Sequence, residues 1–280
     1  MEYDEFKRRL EAEYDIPFEI ESGIYEGERW VTIWPKNDEK SLFEIGMIFN
    51  NDIRLNIDYA LQTFADDCLK TMAMASEEKK SAFCSFAKIA EEQGGKVTLR
   101  INGKVEEHHN WENWPDEWNN FNFTIMVFPI LGYPNTPDYN FYINKWGSLA
   151  VGMGLSLLDI VLKDSEQDNT IVGFEEGALY RTESNRYERN RINRILCLKH
   201  FGYDCQICGM NFERQYGQIG HKFIHVHHIT PVSKLGENYV INPLEDLIPV
   251  CPNCHAMLHR MEPPLSPDTL KGLLNNNRGK

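Results

Sequence analysis

Two cysteine pairs constrain this chain more than any other feature. Cys205-Gln-Ile-Cys208 and Cys251-Pro-Asn-Cys254 each place two residues between thiols. That spacing lets a tight turn aim both sulfurs at one ion, and two such turns complete the tetrahedral four-sulfur shell that suits zinc. Four protein ligands leave no open position for substrate, so this Zn2+ is expected to be structural. The 42 residues between Cys208 and Cys251 exceed a simple ribbon, so an insert lies between the knuckles. The N-terminus, Met1-Glu2-Tyr3-Asp4-Glu5-Phe6, is acidic and lacks the basic and apolar regions of a signal peptide. The apolar stretch from Leu149 to Leu162, broken by Gly152, Gly154, Ser156 and Asp159, is too short to cross a bilayer. The reading is therefore a cytoplasmic protein without a membrane span, its thiols reduced or metal-bound.

The insert carries His225-Val226-His227-His228-Ile229-Thr230-Pro231, and the second knuckle runs on as Cys254-His255-Ala256-Met257-Leu258-His259. His255 and His259 are four residues apart and share one side of a helix. With a third imidazole from a neighbouring strand they make a three-nitrogen site with open positions, an arrangement for catalysis rather than for a closed structural ion.

The run C-x2-C, His-His-Ile-x-Pro, Asp-Leu-x-x-Val-Cys-x-x-Cys-His-x-x-x-His resembles the HNH endonucleases, whose core is a β-hairpin and a helix around one metal. The stretch Asn185-Arg186-Tyr187-Glu188-Arg189-Asn190, followed by His200-Phe201-Gly202-Tyr203-Asp204-Cys205, looks like the restriction branch that includes 5-methylcytosine-specific enzymes. The resemblance covers residues 175–262. It implies that His228 is the general base taking a proton from the attacking water. It implies that His227, His255 and His259 hold one catalytic divalent cation (Mg2+, Mn2+ or Ni2+), and that products carry 5′-phosphates. The family's middle Asn falls nine residues before the helix histidine, and Asp246 stands there. An Asp can accept a hydrogen bond from the base and raise its basicity, approach the metal, or shape the turn. Orientation of His228 is the reading given most weight.

Charge divides the chain. Its net charge is −13, which alone argues against a nucleic-acid partner, because phosphates attract cations. Residues 1–176 hold 16 Lys/Arg against 33 Asp/Glu, a balance of −17; residues 177–280 hold 13 against 9, a balance of +4. Seven of the nine His and five of the seven Cys lie in the second part. The polar run Lys163–Thr170 reads as a linker. The organisation expected is an acidic α+β sensor, regulatory or partner domain over 1–165, a linker over 166–176, and a zinc-stabilised HNH (ββα-metal) domain over 177–280. Arg186, Arg189 or Asn190, and Asn193 or Arg194 follow helical spacing on a basic helix around Ser184–His200, and Arg186, Arg189 and Arg194 are the candidates to grip DNA phosphates.

In the first domain, Leu42–Phe49 and Ile53–Tyr59 alternate around Asn50-Asn51-Asp52, and Lys96–Ile101 and Lys104–Glu107 flank Asn102-Gly103, both hairpin signals. Helices are expected over Tyr3–Glu13, Ala60–Met74, Glu77–Glu92 and Trp146–Leu162, packed on one face of the strands. Most of the six tryptophans are expected in the core, and Cys68, Cys84 and Cys197 are read as buried small hydrophobes. The function expected is a metal-dependent endonuclease on DNA, in restriction or phage defence. Two other readings stay open: a zinc-stabilised DNA-binding or adaptor module without turnover, and an effector subunit activated through a protein partner on the acidic domain. A homodimer is also considered, because cutting both strands depends on dimerisation.

Overall fold

The period-two alternation of the first 130 residues closes into one antiparallel sheet. The structure, a computed structural model, describes residues 3–36, 42–62, 66–130, 137–158, 191–230, 239–261 and 263–278. Strands β1 (Phe18–Tyr25), β2 (Glu28–Pro35), β3 (Phe43–Asn50), β4 (Arg54–Leu61), β5 (Gly95–Ile101), β6 (Lys104–Glu106) and β7 (Phe121–Val127) pair in the order β1-β2-β3-β4-β7-β5-β6. Both expected hairpins form. Asn51 and Asp52 turn the first at φ 50° and 55°, and Asn102 and Gly103 the second at 55° and 76°, the left-handed conformations these residue types tolerate.

One face of the sheet is apolar and covered. Ile45, Met47, Phe49, Leu55, Ile57, Phe121, Phe123 and Ile125 on it are buried beneath α1 (Asp4–Tyr14), α3 (Glu77–Glu92) and α5 (Ser148–Ser156). α5 is apolar on all sides and every residue in it is buried, as a helix enclosed by other elements must be. Its glycines permit that enclosure. A Cβ at Gly152 would lie 2.5 Å from the Phe86 ring, and one at Gly154 2.8 Å from Tyr59. They allow close packing rather than simply weakening the helix. Trp114, Trp118 and Trp146 are buried, and Trp118 stacks on Phe121 with ring centroids 5.0 Å apart.

Two boundaries differ from expectation. The segment expected as helix from Ala60 begins as the end of β4, because pairing of Glu44 with Ala60 and Phe43 with Leu61 continues the ladder; α2 covers only Asp66–Ala73. The helix expected from Trp146 starts earlier, at α4 (Tyr139–Tyr142), and reaches α5 through a π-helical turn, Ile143–Gly147. Asp138 caps α4 by accepting from the Phe141 N–H at 3.0 Å.

α6 (Arg191–Phe201) joins this layer to the second region. Ile192, Ile195 and Leu196 pack in the large core, while Leu198, three residues from Ile195, packs in a smaller one with Ile224, Val250 and Leu258. The second region continues through α7 (Phe212–Tyr216), a two-stranded antiparallel ribbon of β8 (His225–His228) and β9 (Leu247–Val250), α8 (Pro252–Leu258) and α9 (Pro267–Arg278). The expected linker and the residues from 159 to 190, with Arg186 and Arg189, lie outside the described residues. No helix among the described residues is long and apolar enough to cross a membrane.

Candidate metal centres and active site

The four cysteines meet at the ends of two backbone turns. Gly202, at φ 76°, ends α6 by donating to Leu198 O at 2.9 Å, a left-handed helix stop. The first knuckle then closes with Gly209 N–H donating to Cys205 O at 2.8 Å and Cys205 N–H to Met210 O at 2.9 Å. Gly209 sits at φ 75°, a conformation a side chain would strain. Gln206 N–H donates to Pro249 O at 3.0 Å, which ties this knuckle to β9, the strand leading into Cys251. The second knuckle is the start of α8, where Cys251 caps the helix and its Sγ accepts from Cys254 N–H at 3.4 Å.

This donor set fits a zinc ion. The ligand atoms of Cys205, Cys208, Cys251 and Cys254 all lie within 4.8 Å of one another. The Sγ atoms of Cys208 and Cys251 are 3.7 Å apart. A disulfide would be about 2.05 Å, whereas Zn–S bonds of about 2.3 Å in a tetrahedron give an edge of about 3.8 Å. Acidity points the same way. Burial, together with the neighbouring thiols, pushes Cys251 up to about 11 and Cys254 above its ordinary range. Burial also opposes ionisation of Cys205, but backbone donors from Cys208 and Cys251 outweigh it and leave that thiol lowered. Four crowded sulfurs can all be thiolates only around a cation.

The same short helix serves a second cluster. The i, i+4 spacing brings His255, in α8, and His259, the C-cap of α8, to one side of that helix. His227, 4% exposed, comes from β8. Ring centroids of the three lie 5.3 Å (His227–His255), 5.0 Å (His227–His259) and 4.9 Å (His255–His259) apart, a nearly equilateral triangle with rings almost perpendicular. Their ligand nitrogens lie within 4.8 Å of one another. Exposure rises from His227 through His255 to His259, so the triangle opens to solvent at His259. Three neutral imidazoles can hold a divalent ion and leave positions open, the pattern of a catalytic rather than a closed site.

Strand parity separates the paired histidines. His225 and His227 point to one side of β8, His228 to the other. His228 stands opposite Leu247 in the ribbon, and Ile229 N–H donates to Asp246 O at 2.8 Å, so the backbones of the candidate base and of Asp246 are locked together. The Asp246 carboxylate accepts from Tyr239 Oη at 3.0 and 2.9 Å and from Asn242 N–H at 2.7 Å. Asp246 N–H returns a bond to Asn242 O at 2.8 Å. These bonds build the turn before β9.

His225 lies beside the triangle, its Nδ1 3.2 Å from Nδ1 of His255. In the sequence, its strand parity with His227 is the signal that could have found it.

Arg194 does not face outward alone. Its Nη2 donates to Ile224 O at 2.9 Å, immediately before β8, so this candidate phosphate ligand braces the histidine strand. The rest of α6 grips the acidic region. Arg191 donates to Glu13 O at 2.8 Å and Ala12 O at 2.6 Å, Asn193 to Glu78 at 3.2 Å, and His200 Nδ1 lies 3.4 Å from Glu92. Lys199 Nζ is 2.7 Å from both Glu13 Oε1 and Ser148 Oγ. Burial pushes Glu13 up, but the Lys199 charge and the bonds from Lys199 and Ser148 hold it below the usual carboxylate range. Burial raises Cys68 to about 11 and Cys84 and Cys197 to about 12, which fits inert packing thiols. His108 is tucked against Glu91 at 3.1 Å with 13% of its side chain exposed.

The HNH endonuclease family model matches residues 205–261, from the first zinc-site cysteine to just past His259. No curated protein and no solved structure matches the chain. The N-terminal sheet lies outside the matched span. The match and the two clusters fall on the same residues: the C-terminal region of this chain carries an HNH endonuclease domain over the matched span, and its four cysteines and histidine cluster fit the zinc-stabilised form of that motif.

Proposed function

We propose that the chain is a metal-dependent endonuclease that hydrolyses DNA phosphodiester bonds. The observation that carries this reading is the solvent-opening triangle of His227, His255 and His259, separate from the closed sulfur site. In this reading a divalent ion held by those three residues supplies Lewis-acid stabilisation to the scissile phosphate and the leaving 3′ oxygen. His228, on the opposite side of β8, takes the proton of the attacking water on a ring nitrogen, a task suited to an imidazole near neutral pH. Asp246 is a positioning residue: through the Ile229–Asp246 backbone bond and the Tyr239 and Asn242 contacts it fixes the turn against which His228 is presented.

An all-nitrogen donor set ranks the candidate metals. Imidazole suits Ni2+ well, Mn2+ less, and Mg2+ poorly, because Mg2+ prefers oxygen ligands. Activity on supercoiled plasmid is expected to follow Ni2+, then Mn2+, then Mg2+. A His228→Ala variant should lose about 10²- to 10⁴-fold in cleavage rate while still binding both metals. Equal rates for the two proteins would remove His228 from the mechanism. Absence of cutting on unmodified, 5-methylcytosine and hydroxymethylcytosine DNA alike would support the non-catalytic module instead. A place in restriction or phage defence rests on the resemblance around His200–Cys205 and is tested by the same modified substrates. The grip of α6 on Glu13, Glu78 and Glu92 favours an acidic region that influences the nuclease, as an effector subunit would require.

A further inference from the structure

We propose that His225 is a positioning residue for the histidine centre: its Nδ1 accepts the Nδ1–H of His255, which commits Nε2 of His255 to the ion. This rests on the metal-dependent reading above. A neutral imidazole has one N–H and one bare nitrogen, and a metal ligand must present the bare one. Which nitrogen is bare depends on what the other one bonds, and metal-binding histidines almost always engage their second nitrogen in this way. For His255 the structure supplies such a neighbour. The two Nδ1 atoms are 3.2 Å apart, a distance at which one nitrogen donates and the other accepts.

The rest of the geometry allows the accepting role. His225 shares the face of β8 that carries His227, so the strand itself aims it at the ligand cluster. Its ring meets the His255 ring nearly at right angles, with centroids 5.3 Å apart. On its other side the Phe223 ring stands 6.0 Å away at 67°, an apolar wall that restricts rotation. The ribbon fixes the backbone too, since His225 pairs with Val250 directly before Cys251 and α8. The residue that sets the tautomer of His255 and the helix that carries His255 are thus joined by one strand pair. His225 does not belong to the set of three whose nitrogens all converge. With Nδ1 accepting, the proton of His225 sits on its Nε2.

The test uses two variants of the full chain loaded with Co2+, read by visible absorption. His225→Phe keeps the ring and its packing on Phe223 but removes the acceptor. His225→Asn keeps an acceptor oxygen near the position of Nδ1. Co2+ affinity at the histidine centre is expected to fall about 10- to 100-fold in His225→Phe and to stay within about threefold of the parent in His225→Asn. The thiolate-to-Co2+ bands of the four-cysteine site serve as the fold control and should be unchanged in both. Parent affinity in His225→Phe would overturn the positioning role while leaving the nuclease reading intact. A spectrum showing loss of one nitrogen donor in both variants would also overturn it, making His225 a ligand. A parent chain that takes up Co2+ only at the cysteines would overturn the metal-dependent reading, and this proposal with it.

Discussion

The two regions of this molecule are held together by different physics. The N-terminal sheet and its helices bury a continuous apolar core in which Phe43, Phe83, Phe86, Phe121, Phe123 and Trp146 are almost fully enclosed. The C-terminal region buries a short set, Leu198, Cys205, Ile207, Ile224, Val250, Cys251, Cys254, Leu258 and Leu270, and three of these are cysteines of the sulfur site. Burial of apolar area stabilises the first, at about 25 cal/mol per Å² removed from water. The second is too small to rely on that term, and its four converging cysteines fit a zinc ion that would act as its staple. The comparison teaches that acidity and fold stability belong to one part, ligand chemistry to the other, and α6 is the element that both cores share.

The largest expected effect is the removal of zinc. Structural zinc contributes about 10 kcal/mol or more to folding in small domains, so a strong chelator, or Cys254→Ser, should unfold the C-terminal region and leave the sheet folded. All six tryptophans lie in the first 146 residues, so tryptophan emission reports the sheet alone. Emission should hold while residues after Phe201 become open to proteolysis. Simultaneous loss of both signals would mean the regions are not separable.

Next, Phe123→Ala, at a residue fully enclosed by Tyr59 and Phe83, should cost about 3–5 kcal/mol. It should lower the tryptophan unfolding transition without changing zinc affinity. Leu196→Ala is placed to connect the two. It should cost about 2–4 kcal/mol and destabilise both signals, because α6 also carries Leu198 into the small core. A shift confined to the tryptophan signal would show that α6 does not couple the regions. A fragment starting at residue 177 would for the same reason expose Ile192, Ile195 and Leu196 and should aggregate.

The smallest effect is at the contact between Lys199 and Glu13, whose side chains are 17% and 19% exposed. Glu13→Gln should cost about 2 kcal/mol. Because the folded state holds Glu13 below the usual carboxylate range, its contribution is present above the unfolded value and disappears as pH falls through the lowered one. Urea titrations across the acid range should therefore show a shallower fall in stability for the variant. Equal slopes would deny the ion pair its role.

Much of this was legible in the chain itself. Asn102-Gly103 and Asn50-Asn51-Asp52 announced their hairpins because left-handed turns tolerate few residue types. Glu77–Glu92 was readable to both ends. Ala60–Leu61 was not, because strand pairing with Phe43 and Glu44 prevailed over local helix preference. The role of Gly152 and Gly154 was not legible either, because it depends on Phe86 and Tyr59 from distant elements. His225 was ambiguous for the same reason: only the approach of α8 to β8 gives its Nδ1 a partner.

The sequence alone determined that two ligand clusters, one of cysteines and one of histidines, are encoded in the second part of the chain. Ligand spacing is a local property: C-x2-C makes a knuckle and an i, i+4 histidine pair shares a helix flank wherever they fold. Only the tertiary structure decided where the described basic residues of α6 go: Lys199 and His200 lie against Glu13 and Glu92, Arg191 donates to backbone carbonyls of α1, and Arg194 braces β8. A count sums charges over the whole chain, whereas an ion pair depends on separations of a few ångströms that only folding sets.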